Sequence, residues 1–356
     1  MPISEPEVLK ALESVIDPDL NRDIVSLGFV KKVSVDGGVV SVTVELTTPA
    51  CPVKDLLRDQ CADAIRALPG VESVEVQMTA AVRPREIPKE DALPHVRHCI
   101  AIASGKGGVG KSTVTVNLAA ALAQSGAAVG VLDADVYGPS IPMMLGCRQY
   151  PYTQDGKIVP IETHGLKVMS FGPLVRRKGK PVMWRGPMVA TTVRQLLQDV
   201  DWGELDYLLI DLPPGTGDAP MSVAQLAPLT GVVLVATPQH VAANIAAKSI
   251  ALFEKLEAPI LGVVENMAEF LCPSCGTATR IFSGLGGEEL ARRFSVPFLG
   301  SVPLDPAISE SSDEGEPSFL AHSERPQADA FRVIAGNMAA QISIATLSKQ
   351  PTPTAG

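Results

Sequence analysis

The sequence predicts an α/β protein, a mostly parallel sheet with helices on both faces, preceded by a small α+β domain. Two observations carry this. From Cys99 onward, apolar β-rich runs (CIAIAS, AVGVLD, YLLIDLP, GVVLVATP, PILGVVEN, VPFLGSVPL) alternate with segments of helical pattern. Strands that are apolar on both faces belong to a parallel sheet covered on each side by helices. Ahead of them, RPREIPKEDALPHV at 83–96 is rich in proline and charge and lacks apolar periodicity, which reads as a linker. The expected organisation is a small domain over 1–83, a linker over 84–96, a large domain over 97–345 and a flexible tail over 346–356.

In the small domain, Ser4 and Glu7 form a capping box for a helix whose apolar positions Val8, Leu12, Val15 and Ile16 recur at helical spacing. After the turn DPDL, the runs FVKKVSV and VVSVTVEL flank DGG and make a hairpin. A second helix opens at Pro52, directly after Cys51, and VESVEVQM supplies a further strand.

The 356 residues are 46% hydrophobic and 19% charged, an ordinary globular composition with room for two domains. A formal net charge of −9 disfavours non-specific binding to nucleic acid or anionic membrane, and the basic RRKGK at 176–180 reads as a solvated loop. There is no run of about 18 apolar residues, and MPISEPEVLK lacks the basic and apolar regions of a signal peptide. A cytoplasmic protein with no membrane and no nucleic-acid partner is expected. The six cysteines (Cys51, Cys61, Cys99, Cys147, Cys272, Cys275) are therefore expected as thiols, and the five histidines form no HxxxH-type ligand pair.

GKGGVGKS at 105–112 fits GxxxxGK[ST] and lies between the strand CIAIAS and the helical run TVTVNLAAALAQSG. Gly105, Gly107, Gly108 and Gly110 let backbone N–H groups turn toward phosphate oxygens, and the helix N-terminus adds partial positive charge. Lys111 is placed to bridge the terminal phosphates and Ser112 to ligate Mg2+; Val109 and Thr113 complete the nucleotide-binding stretch. Two more strand ends supply carboxylates. Asp211 closes YLLID, where a residue holding the magnesium shell belongs. Asp135 in VLDADVYGPS is the candidate for orienting the attacking water, ahead of Asp133; a role in a surface turn is the alternative for either.

Cys272 and Cys275 flank a Pro-Ser turn in LCPSCG, and such a pair either chelates a metal or cycles between dithiol and disulfide. A closed site needs four ligands, and no second CxxC or CxxH completes one. Cys51 at a helix N-cap is either a thiolate lowered by the helix end or a small capping residue, and Cys61 falls on the apolar face of its helix.

With these residues in view, the chain resembles the Mrp/ApbC family of iron-sulfur cluster carrier ATPases over nearly its whole length. The likeness rests on DIVSLGFV and TTPACP in the small domain, then HCIAIASGKGGVGKST, LDADVYGPSIP, WRGPM, DLPPGTGD, TPQ, ENM and CPSC. The resemblance implies a deviant Walker P-loop NTPase with an N-terminal iron-sulfur assembly domain. In that group Lys106 reaches across a homodimer to the partner's nucleotide, and a slow ATP hydrolysis accompanies transfer. It also implies that Cys272 and Cys275 of two subunits share a 4Fe-4S cluster, received from donor proteins and passed to apo iron-sulfur proteins. Asn266 is implied to hydrogen-bond adenine, with the segment around Pro303 packed on it; closing a strand is the alternative for Asn266. The chain departs from the family's TPQDxAxxDxxK, reading TPQHVAANIAAK with His240 and Ile245 in place of acids and Ala247 before Lys248, and SGLGG at 283–287 also differs. A ParA/MinD-like positioning ATPase and a redox ATPase resembling the nitrogenase iron protein are the alternatives of other classes.

Overall fold

The computed structural model describes residues 3–85, 92–172, 186–272, 274–284 and 286–347; side chains at 186, 187, 189, 190, 218, 219 and 240–246 are outside that description. The segment RRKGK, the first residues of WRGPM and the tail over 348–356 lie outside the described residues. The chain divides into two compact units between Arg83 and Pro84.

The first unit is built from α1 (Glu5–Leu12), β1 (Ile16–Asp17), β2 (Arg22–Asp23), β3 (Val30–Asp36), β4 (Val39–Leu46), α2 (Lys54–Arg66) and β5 (Ser73–Ala80). The capping box is present, with Glu7 Oε2 accepting from both the N–H (2.9 Å) and the hydroxyl (2.7 Å) of Ser4. Strands β3 and β4 pair antiparallel around Gly37, and β5 pairs parallel to β4. Val40, Val42, Val44 and Leu46 alternate inward along β4 and meet Val8, Leu12, Leu57, Cys61 and Ile65 from the helices. Two expectations change. Helix α1 stops at Leu12, so Ile16 sits in β1 at 45% exposure rather than on a buried helix face. Helix α2 starts at Lys54 with Val53 as its N-cap, leaving Cys51 and Pro52 outside it.

The second unit runs β6 (Val96–Ala103), α3 (Lys111–Gln124), β7 (Val129–Asp133), α4 (Ile141–Met144), β8 (Tyr152–Gln154), β9 (Lys157–Val159), β10 (Ile161–Thr163), β11 (Leu166–Ser170), α5 (Gly186–Gln198), β12 (Leu205–Asp211) and α6 (Asp218–Leu226). It continues with β13 (Gly231–Ala236), α7 (His240–Lys255), β14 (Ile260–Leu271), β15 (Ala278–Thr279), α8 (Gly287–Arg293), β16 (Phe298–Leu304), α9 (Pro306–Glu314), α10 (Ser318–Ala321) and α11 (Pro326–Leu347). Strand β6 begins at the last residue of the expected linker, and α11 extends to Leu347.

Nine strands form the main sheet in the order β10-β11-β7-β12-β6-β13-β14-β15, with β16 also on β14. Every described pairing in it is parallel except those of the edge strands β10 and β15. Alternation sorts the two faces: Ala101, Ala103, Leu208, Ile210, Val232 and Leu234 pack in one cluster with residues of α5 to α8. Their neighbours Ile100, Ile102, Val131 and Leu209 are equally buried, on the face that carries α3. By length and composition α11 is apolar enough to cross a membrane, and here it buries Phe331, Ile334, Met338 and Ile342. The α/β class, mostly parallel with helices on both faces plus a small α+β domain, is thus the one the sequence predicts.

The parallel order puts the carboxyl ends of β6, β7, β12 and β13 side by side, and the site grows there. Leu208 is fully buried in β12, packed where Gly130 of β7 leaves room; a Cβ at that glycine would lie 3.0 Å from Leu208 Cδ1. Leu208→Ala is expected to cost about 2–5 kcal/mol, read as a lowered midpoint in chemical denaturation.

Candidate functional site

The loop after β6 ends at Gly110, which caps α3 in the left-handed region at φ 81°. A Cβ there would stand 2.1 Å from Asn266 Nδ2, so both the backbone conformation and the approach of Asn266 require glycine. Asn266 is buried and its amide donates to the Val109 carbonyl at 2.8 Å, which ties β14 to the loop. The strand continues to Leu271, five residues past Asn266, so Asn266 does not close it. Gly107 and Gly108 face open space, and no atom lies within 4 Å of a Cβ built at either. Gly105 leads into the turn, and Thr113 in the first turn of α3 accepts from Asn117 Nδ2 at 2.8 Å.

Across from the loop, Asp211 ends β12 with 0% exposure. Lys111 Nζ lies 2.7 Å from Asp211 Oδ2, and the Ser112 hydroxyl donates to the same oxygen at 2.6 Å. The Thr115 hydroxyl is 2.8 Å from Asp211 Oδ1 and 3.0 Å from the Lys111 carbonyl, and it donates to one of them at a time. Nothing in the motif pattern singled out Thr115; the available signal was its position four residues after Lys111, on the same helix face. Hard oxygen donors on Ser112 and Asp211, with the second carboxylate oxygen backed by Thr115, fit a magnesium ion, which when bound neutralises phosphate charge.

Asp133 ends the neighbouring strand in register with Asp211. Burial, then the Asp211 charge, push its carboxyl up to about 8, against the hydrogen bond from Ser170 (2.9 Å). Like Asp211, it has no exposure to solvent. Asp135 is half-buried; its Oδ1 accepts from the N–H groups of Tyr137 (3.3 Å) and Gly138 (3.2 Å), the turn role that was its alternative. The ammonium of Lys106 donates to Gln239 Oε1, where α7 begins. The departures at His240 and Ile245 fall among side chains outside the described residues.

The thiol pair stands at the far end of β14. Cys272 N–H donates to Thr277 O (3.1 Å) and Gly276 N–H to Cys272 O (2.8 Å), closing the hairpin from β14 into β15. The exposed Cys275 sulfur lies 3.2 Å from the Thr277 hydroxyl. That hydroxyl, then the Thr277 N–H and Cys272, stabilise the anion and hold Cys275 below the ordinary thiol value. Cys272 lines a cleft of ≈ 880 Å³ with Glu269, Arg280, Pro303, Asp305 and Arg325. Pro303 follows Val302, the β16 register partner of Asn266, and lines the same cleft as Cys272.

Cys51 does not match its thiolate reading. The N–H of Val53, the N-cap of α2, stabilises its anion, but burial outweighs this and pushes the thiol up to about 11; burial does the same to Cys147 and Cys61. Cys61 is a core residue, as its helix face predicts, and Cys99 is buried in β6.

A strand, glycine loop and helix facing a buried aspartate at the end of the adjacent parallel strand define a P-loop NTPase. The model of the NUBPL iron-transfer P-loop NTPases matches residues 95–339, and that of an iron-sulfur cluster assembly protein matches residues 5–78. The chain belongs to this family of iron-transfer NTPases, as its resemblance to cluster carrier ATPases implied. The iron-sulfur cluster carrier protein of Deinococcus radiodurans is 47% identical over 346 residues, 97% of each chain. A nucleotide-binding protein of Archaeoglobus fulgidus, solved with ADP, superposes at TM-score 0.60 with 41% identity, covering 69% of this chain and 98% of its own. The cell division ATPase MinD of Pyrococcus furiosus, at TM-score 0.50 and 24% identity over 68% of this chain and 98% of its own, shares the fold alone.

Because the thiolate is the reacting form, iodoacetamide at pH 8 should modify Cys275 well ahead of Cys51 and Cys147. At that pH only roughly one in a thousand Cys51 side chains is ionised, and its rate should climb about tenfold per pH unit until near pH 11. Peptide mass spectrometry over a pH series reads both.

Proposed function

We propose that the chain is an ATP-hydrolysing iron-sulfur cluster carrier that works as a homodimer. Each copy offers Cys272 and Cys275, and two copies supply the four thiolates that a 4Fe-4S cluster needs. The cluster is cargo, received from a donor protein and passed to apo iron-sulfur proteins. The observation that carries this reading is the thiol pair, half-buried Cys272 and exposed Cys275, at the end of the strand whose Asn266 contacts the phosphate loop. Among the described residues no group of three or more His, Cys, Asp or Glu side chains is arranged to hold a metal ion, which supports ligands drawn from two chains.

In the same reading, Lys111 leaves Asp211 for the terminal phosphates of ATP, Ser112 and Asp211 hold magnesium, and Asp135 orients the attacking water. Lys106 acts across the dimer on the partner's nucleotide. Asn266 and the segment at Pro303 bound the adenine. Hydrolysis is slow and linked to how the two copies meet, so the shared cluster is exposed or released as that contact changes. Cargo of this kind needs reduced thiols, which fits the cytoplasm; membranes and nucleic acids are not partners.

Two outcomes check this. Anaerobically reconstituted protein should carry about four irons per dimer with broad visible absorption, and Cys272→Ala should lose both along with transfer to an apo-protein. Unchanged iron in the variant would sink the carrier reading. Thr115→Val, which removes only the hydroxyl behind Asp211, should weaken magnesium-dependent ATP binding by about 10–100-fold and leave magnesium-free nucleotide binding nearly unchanged, followed with a fluorescent ATP analogue.

A further inference from the structure

Gln239 occupies the N-cap position of α7, with extended backbone at φ −115° and ψ 136°. A short polar side chain in that place, Ser, Thr, Asp or Asn, ordinarily accepts from the free N–H groups of its own helix. Gln239 makes no such cap bond; its carbonyl oxygen accepts from the Lys106 ammonium instead. The backbone around it is pinned: Gln239 N–H donates to Thr237 O at 2.7 Å, and Gly284 N–H donates to Pro238 O at 3.1 Å. The acceptor is therefore fixed at the end of β13, while Lys106 rides on the glycine loop with its side chain half-buried. Its ammonium is thus committed within its own chain.

We infer that Gln239 is a catch for Lys106, a positioning residue that holds the lysine in its own subunit until a nucleotide-bound second copy offers a better partner. The inference rests on the reading of Lys106 as acting across the dimer. Dimer formation must first break the Lys106–Gln239 bond, and phosphate oxygens, being anionic, outcompete a neutral amide for the ammonium. A monomer without nucleotide on its partner has nothing to offer in exchange. The amide sets a threshold: an apolar side chain would remove it, and a carboxylate would raise it by turning a charge–dipole contact into an ion pair.

The test is sedimentation of the full-length chain with magnesium and a non-hydrolysable ATP analogue over a series of protein concentrations. Gln239→Leu is expected to tighten the dimer about 3–10-fold, and Gln239→Glu to loosen it by about 10-fold or more. Gln239→Asn, one methylene shorter, should follow Leu and serves if the apolar variant folds poorly; near wild-type ADP affinity establishes that each variant is folded. A purely structural role would shift both variants in the same direction, and either that result or wild-type behaviour of both would overturn the catch. Lys106→Ala separates the two layers. If it leaves the dimer intact, the reading across the dimer fails; if it weakens the dimer while the Gln239 variants match wild type, only the catch fails.

Discussion

A carboxylate with no exposure to water cannot stay charged without partners, and Asp211 is such a group. Among the described residues its compensation comes from the start of α3: the Lys111 ammonium, the Ser112 hydroxyl and, one turn on, the Thr115 hydroxyl. Meeting that need fixes the helix end against the end of β12 and so sets the exit from the phosphate loop. Gly110 then has to turn left-handed beneath Asn266, which leaves the glycines before it facing open space. The neighbouring carboxyl shows the same constraint from the other side. Asp133 stands in register with Asp211; burial first, and then the Asp211 charge, push its carboxyl up to about 8, so it holds its proton near neutral pH. One charged group at the carboxyl end of a central strand thus orders a loop, a helix and a second carboxyl.

The strands were readable because their apolar runs are buried on both faces, and the loop because GKGGVGKS sits between one of them and a helical run. The roles of Lys111, Ser112 and Asp211 follow from residue type and spacing, and the structure brings the three together. What was not readable depends on neighbours distant in sequence. Thr115 looks like filler in a helix until Asp211 arrives 96 residues later, and nothing in the spacing links Gln239 to Lys106, 133 residues earlier, whose ammonium donates to its carbonyl. Helix starts are also weakly encoded: Pro52 is as acceptable in the turn it occupies as at the first helical position, and α2 starts at Lys54. At Cys51 burial outweighs the hydrogen bond from the Val53 N–H, and that burial comes from packing that residue spacing does not reveal.

The nucleotide loop and the thiol pair are joined by a short covalent path. Asn266 grips the Val109 carbonyl from the middle of β14, and Cys272 follows six residues on, a span of at most roughly 20 Å of extended chain. That path is not a uniform strand. Met267 takes a left-handed backbone at φ 59°, and the register with β16 slips between Asn266 and Phe270. A bulged segment bends and leaves part of the ladder unpaired, so it has fewer bonds to break than regular sheet when either end moves. The strand is therefore firm where it holds the loop and loosened just before it delivers the cysteines. The proposed carrier role would use that distribution: a nucleotide cradle kept in shape by a buried charge, and a thiol end with fewer ladder bonds to hold it.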